Sequence, residues 1–234
     1  DADVLLELTI KTIDRLAGAS VHVLAQVAAV GVTSFWHSLL GVDRDGTPCT
    51  PVYYWADTRS AQDAFALREE LDAHAIWLRT GCRLHPSYWP AKLRWLQRSE
   101  PAMVERVAQW ISFPEYALGR LCEPAAAAVT LCMASGTGIL DVHSLQWDHE
   151  LLQLFGLEPE NLSPLTNLGP PGALLPQYAR RWPALRGAKW YPALGDGPCA
   201  NVGFNAIVRS RMVLSVGTSA AMRMILTRER GTSW

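Results

Sequence analysis

Lysine is scarce in this chain of 234 residues: of its 21 basic residues only Lys11, Lys92 and Lys189 are lysines. The arginines are scattered apart from the pair Arg180-Arg181, and the formal net charge is −1. With no basic stripe and almost no net charge, nothing favours nucleic acid or an anionic membrane surface as a partner. Cysteine is sparse and unpatterned. Cys49, Cys82, Cys122, Cys132 and Cys199 form no C-x-x-C and are odd in number, which argues for free thiols in a cytoplasmic setting. The six histidines are dispersed; His143 and His149 flank Trp147 without metal-ligand spacing, so no metal site is expected from them. A long apolar run is missing too. The stretch from Val23 to Val32 is broken by Gln26 and Gly31, short of the ~20 residues of a membrane span. No signal sequence opens the chain, because Asp1 and Asp3 stand where a basic region would. There is no initiator Met, and Arg230 to Trp234 carry no helix-ending signal, so the chain is expected to be a piece of a longer protein.

What is present describes a globular α/β protein. Hydrophobic residues make up 49% and charged residues 18%, enough for a sizeable core. Val4 to Leu16 has helical spacing closed by Gly18, and Ala25 to Val32 reads as a buried strand. Leu39 to Val42 leads into the turn Asp43-Arg44-Asp45-Gly46, and Val52 to Trp55 reads as the next strand. One long helix is expected over Arg59 to Arg79, another over Pro90 to Gln97, then a strand over Ala108 to Phe113 and a helix over Pro114 to Leu121. Asp148 should cap a helix running to Phe155. After Gly169-Pro170-Pro171-Gly172 come a helix over Ala173 to Trp182 and a strand over Lys189 to Leu194. Arg211 to Val216 and Ala221 to Leu226 read as a strand pair. Strands alternating with helices imply α/β architecture.

Two features carry chemistry. Asp196 sits between Gly195 and Gly197 at the end of a strand, a place suited to a catalytic carboxylate. Val213 to Val216 ends in Gly217-Thr218-Ser219, where backbone N–H groups and two hydroxyls could cradle a phosphate. Each has a plainer reading: a turn aspartate capping a helix that begins near Cys199, and an ordinary hairpin turn.

Taken together, four blocks resemble the FGGY carbohydrate kinases, members of the actin-like, ribonuclease-H-like ATPase superfamily. They are Gly31-Val32-Thr33-Ser34-Phe35-Trp36-His37-Ser38-Leu39-Leu40 with Val42 to Gly46, then Trp55-Ala56-Asp57-Thr58-Arg59. Next come Ala134-Ser135-Gly136-Thr137-Gly138-Ile139-Leu140-Asp141 with Trp147-Asp148, and Gly195-Asp196-Gly197 through Asn201-Val202-Gly203 to Gly217-Thr218-Ser219. The wording is most similar to gluconate kinases, with xylulose kinases as the alternative. The resemblance implies an actin-like fold with sugar and ATP between two domains. Residues 1–205 would be most of the sugar-binding domain and residues 206–234 the start of the ATP-binding domain. Two family parts are absent from the chain: an Asp-x-Gly-Thr hairpin before the first helix and a glycine-rich adenosine segment. Gly203-Phe204-Asn205 also departs from the pattern, which usually has a second small residue.

The resemblance assigns roles. Asp196 would take the proton of a sugar hydroxyl as the phosphoryl group arrives. Trp36 and His37 would contact the sugar through an apolar ring face and an imidazole hydrogen bond, with core packing as the alternative for Trp36. Asp57 would accept from sugar hydroxyls or else cap the helix that follows, and Arg59 would hold the local turn, with meeting the carboxylate of a sugar acid as its alternative role. Gly217, Thr218 and Ser219 would bind phosphate. ATP with Mg²⁺ is the implied donor, and a sugar or sugar acid, gluconate first, the acceptor. Xylulose or another ketopentose is the alternative, as is a non-catalytic sugar-binding relative of the same fold. No nucleic-acid or membrane partner is expected; a homodimer is the assembly left open.

Overall fold

The computed structural model describes residues 1–216 and 220–226. It opens with the helix Ala2–Ala19, longer than its apolar spacing predicts because Asp1 caps it, accepting from the N–H groups of Asp3 and Val4. Where a strand is expected over Ala25 to Val32, a helical turn at Val21–Leu24 comes first, and the strand is confined to Ala29–Val30. Its partner sets that limit. Ala29 and Val30 pair in parallel with Lys189 and Trp190, and Thr33 and Ser34 pair in parallel with Leu194 and Gly195. The expected strand over Lys189 to Leu194 is thus two short pieces separated by Tyr191 to Ala193, where Pro192 has no N–H to give a ladder.

Leu40–Val42 pairs antiparallel with Gln109–Ile111. Leu39 and Leu40 are fully buried on opposite sides of this strand, as its two-residue period requires. They divide the interior: Leu40 joins Leu6, Phe113, Leu118, Met133 and Trp182, while Leu39 joins Leu67, Trp89, Leu93, Leu96 and Phe155. Val52 to Trp55 is not a strand. Tyr53 alone bridges to Leu39, because Pro51 just before it can donate nothing to a ladder. The single helix expected over Arg59 to Arg79 is two, Ala61–Glu70 and Ala73–Thr80. Leu71 is extended, and the Asp72 carboxylate accepts from His74 and Ala75 N–H. An aspartate that can cap a new helix competes with continuing the old one.

The remaining elements follow the expected order: helices Trp89–Ser99, Phe113–Leu121 and His149–Phe155, the last capped by Asp148 as read. The helix expected from Ala173 starts at Pro176, whose fixed φ suits a first turn. A helix Asp196–Gly203 and an antiparallel hairpin, Met212–Val216 with Ala220–Met224, complete the described chain. No helix among the described residues is long and apolar enough to cross a membrane, and the five cysteines are free.

Candidate active site

The parallel pairing of residues 33–34 with 194–195 places two sequence-distant turns side by side. One carries Trp36 and His37; the other is the start of the helix Asp196–Gly203. Trp36 is held from three directions. Its Nε1 donates to Cys132 O at 3.0 Å. A Cβ on Gly136 would stand 2.1 Å from Trp36 Nε1, one on Gly195 2.7 Å from Cε2, and one on Gly197 3.2 Å from Cζ3. Gly136 and Gly195 leave the indole a slot that no other residue would leave, and Gly197 keeps its far edge uncrowded. His37 follows in a left-handed backbone conformation, φ 68°, uncommon for a non-glycine residue and costly to hold. Its ring stacks beside the indole at 5.5 Å and meets the edge of Tyr88 at 4.7 Å. Its Nδ1 is hydrogen-bonded to Gly136 O. A carbonyl only accepts, so Nδ1 carries the proton and Nε2 of the neutral ring is an acceptor.

Lys92, one of the most buried side chains in the protein, ties the turn down. Its Nζ donates to His37 O at 3.0 Å and to Ser87 O. Burial pulls its ammonium down to about 8, against the attraction of Asp57. His37 is also lowered, first by burial and then by Lys92, with the Gly136 bond and Asp196 opposing.

A cleft of about 720 Å³ opens over these groups. Trp36, His37 and Asp196 line it together. Asp196 is exposed there as the first residue of its helix. The helix begins at Asp196 rather than near Cys199, with Gly195 at the cap position, so Asp196 is not the capping residue. Asp57 does not line the cleft. Its carboxylate is held by the Arg59 guanidinium, at 2.5 Å from Nη2 and 3.0 Å from Nε, and by the Arg59 N–H. Nor does it cap a helix, since the next one starts after Ser60. Arg59 lies over the Trp95 ring at 4.6 Å, so it holds this turn. Gly217, Thr218 and Ser219 lie outside the described residues.

The cleft also contains groups that sequence reasoning passed over: Trp77, Arg83, His85, Tyr88 and Arg223. Burial pushes the Tyr88 phenol up to about 12, so it serves as a neutral wall. Lys92 had a legible signal. Trp89, Lys92, Leu93 and Leu96 follow helical i, i+3, i+4, i+7 spacing, so a lysine stands on the buried stripe. For His85 and Arg83 the sequence holds no comparable sign.

Among the described residues Asp196 is the one carboxylate lining the cleft, and no group of three His, Cys, Asp or Glu could hold a metal ion. The described residues therefore do not build a Mg²⁺ cage.

Residues 1–203 match the model of the FGGY family of carbohydrate kinases, N-terminal domain. The chain is 28% identical over 214 residues to the gluconokinase of Bacillus subtilis, covering 88% of this chain and 40% of that protein. The solved ligand-bound xylulose kinase from Lactobacillus acidophilus superposes with a TM-score of 0.82 at 27% identity, over 94% of this chain and 45% of that one. The gluconate kinase from the same organism gives 0.78 at 29%, over 87% of this chain and 42% of that one. The chain thus spans well under half the length of these proteins.

Proposed function

The chain belongs to the FGGY family of carbohydrate kinases, with the actin-like fold of its solved relatives, and from that membership we propose that the protein transfers a phosphoryl group from ATP to a hydroxyl of a sugar or sugar acid. The observation that carries the reading is Asp196, an exposed carboxylate at the start of a helix, lining one cleft with Trp36 and His37. A sugar hydroxyl is a weak nucleophile. As its oxygen attacks the γ-phosphorus, its proton passes to the Asp196 carboxylate, and the bond to the leaving ADP oxygen breaks. Trp36 offers a flat apolar wall to the C–H face of the sugar, and His37 Nε2 accepts from a second hydroxyl.

Residues 1–205 would make up most of the sugar-binding domain and residues 206–234 the opening of the ATP-binding domain, with Gly217, Thr218 and Ser219 assigned to phosphate. Mg²⁺ would enter with the nucleotide, bound mainly to its phosphates. Five free thiols suit the cytoplasm. Gluconate is the first choice of acceptor, supported by the gluconokinase relative and by the cleft's cationic side chains. Xylulose is the second, supported by the higher TM-score of the two solved kinases compared.

The test is Asp196→Asn in the full-length gene product. Asn keeps the size and can still bond a hydroxyl, but it cannot take the proton. Turnover should fall by about 10² to 10⁴, with sugar Kd nearly unchanged. A variant keeping more than about a tenth of wild-type kcat would remove Asp196 from the base role.

A further inference from the structure

Beside His37 the cleft holds a second imidazole of opposite character. His85 Nδ1 lies 3.2 Å from the Ser87 backbone nitrogen and 3.1 Å from Ser87 Oγ. The Ser87 N–H can only donate, and Ser87 Oγ gives its proton to Trp55 O at 2.8 Å. The obligate donor decides the tautomer: Nδ1 accepts, and Nε2 of the neutral ring carries the hydrogen. The cleft therefore offers an acceptor nitrogen on His37 and a donor nitrogen on His85, with Tyr88 standing edge-on to both rings.

Arg83 comes to the same side by alternation. Along the segment after Gly81, Cys82 and Leu84 are buried while Arg83 and His85 are exposed and line the cleft. The segment is anchored from beneath. Cys82 Sγ donates to Ser135 O at 3.3 Å, and Arg68 Nη1 donates to Leu84 O at 2.6 Å. Arg83 and His85 are thus two donors carried on one anchored stretch. A sugar hydroxyl must place its own proton as well as accept one. A carboxylate needs donors alone, and a guanidinium with an imidazole N–H supplies them.

We infer that Arg83 and His85 form the carboxylate-reading part of the cleft, selecting sugar acids over neutral sugars and ketoses. The inference rests on the sugar-kinase reading above for its ligand class, and it names the residues that separate gluconate from xylulose.

The experiment is calorimetric titration of the full-length gene product with D-gluconate and with D-glucitol, which has a hydroxymethyl group in place of the carboxylate. Wild type should bind gluconate at least about tenfold more tightly, the scale of a hydrogen bond to a charged group. The double variant Arg83→Ala, His85→Phe should lose about 10- to 100-fold in gluconate affinity and little in glucitol affinity. His85→Gln, which keeps an amide donor, should retain most of the preference. Long-range ¹⁵N–¹H spectra of the imidazoles should show His85 protonated at Nε2 and His37 at Nδ1. Equal loss for both ligands, no preference in wild type, or His85 protonated at Nδ1 would each overturn the inference. Failure of the kinase reading is a separate outcome, because it shows as absent ADP release with any sugar while the binding comparison still reports.

Discussion

Lys92 and His37 show how much of the site is decided at single residues. His37 holds a left-handed backbone conformation, and its carbonyl is fixed by the buried Lys92 ammonium. That bond helps to stabilise a conformation which otherwise costs about 1–3 kcal/mol. Burying the charge has its own cost, and the cost has a pH signature. Below pH 8 the ammonium is charged in both folded and unfolded chains. Between about 8 and its ordinary value of 10.5 the unfolded chain still holds a proton that the folded chain has lost, so stability rises with pH. Wild type should gain about 2 kcal/mol relative to Lys92→Met between pH 8 and 10. Tyr53 and Tyr88, both pushed up to about 12 by burial, act the other way only above pH 10, since they ionise first in the unfolded chain. Urea unfolding of both proteins at pH 7.5, 8.5 and 9.5 checks this. Parallel curves for the two would contradict it.

Among the elements, the Ala134 to Gly138 segment does its work through another. Its glycine at 136 accepts the His37 bond and leaves room for the Trp36 ring. A methyl group there would lie 2.1 Å from the indole nitrogen, inside any van der Waals contact, and the indole is fixed by its bond to Cys132 O. Gly136→Ala should therefore destabilise the protein by about 1–3 kcal/mol, the range for overpacking. It should also displace Trp36, seen as a change in tryptophan fluorescence together with weakened sugar binding. If Tm and sugar Kd both stay at wild-type values, the indole is not wedged as described.

At the scale of the whole molecule, two apolar faces stand open. On the hairpin, Met212 opposes Met224 and Leu214 opposes Met222, and these four lie on one face with Val216, which is 75% exposed. Only Val213 is buried on the other side of that strand. Val4 and Leu8 are half exposed on the first helix. Such faces favour association. Residues 1–234 expressed by themselves should therefore self-associate, giving sedimentation coefficients that rise with concentration. On the sugar-kinase reading proposed above, they should also show no gluconate- or xylulose-dependent ADP release, because residues 1–234 span only 40% to 45% of the compared kinases and closing a site around two substrates takes more than one domain. A concentration-independent monomer, or turnover at ordinary kinase rates, would contradict these expectations.

The amino-acid sequence by itself determined the family and the order of the main helices, because these depend on local spacing and short motifs. Asp148 capped its helix as read, and Trp36, His37 and Asp196 stood in recognisable turns. It did not determine where the long helix after Arg59 would break, nor that Pro192 would split a strand, since caps and ladders depend on which partner is available. Only the tertiary structure decided that Asp57 faces Arg59 rather than the cleft, that Lys92 braces the His37 turn, and that Arg83 and His85 join the site. The direction of a side chain, its protonated nitrogen and its charge state are set by neighbours 50 to 100 residues away, such as Gly136 for His37 and Lys92 for the same turn. No local pattern encodes those contacts, because they exist only once the distant segments are packed together.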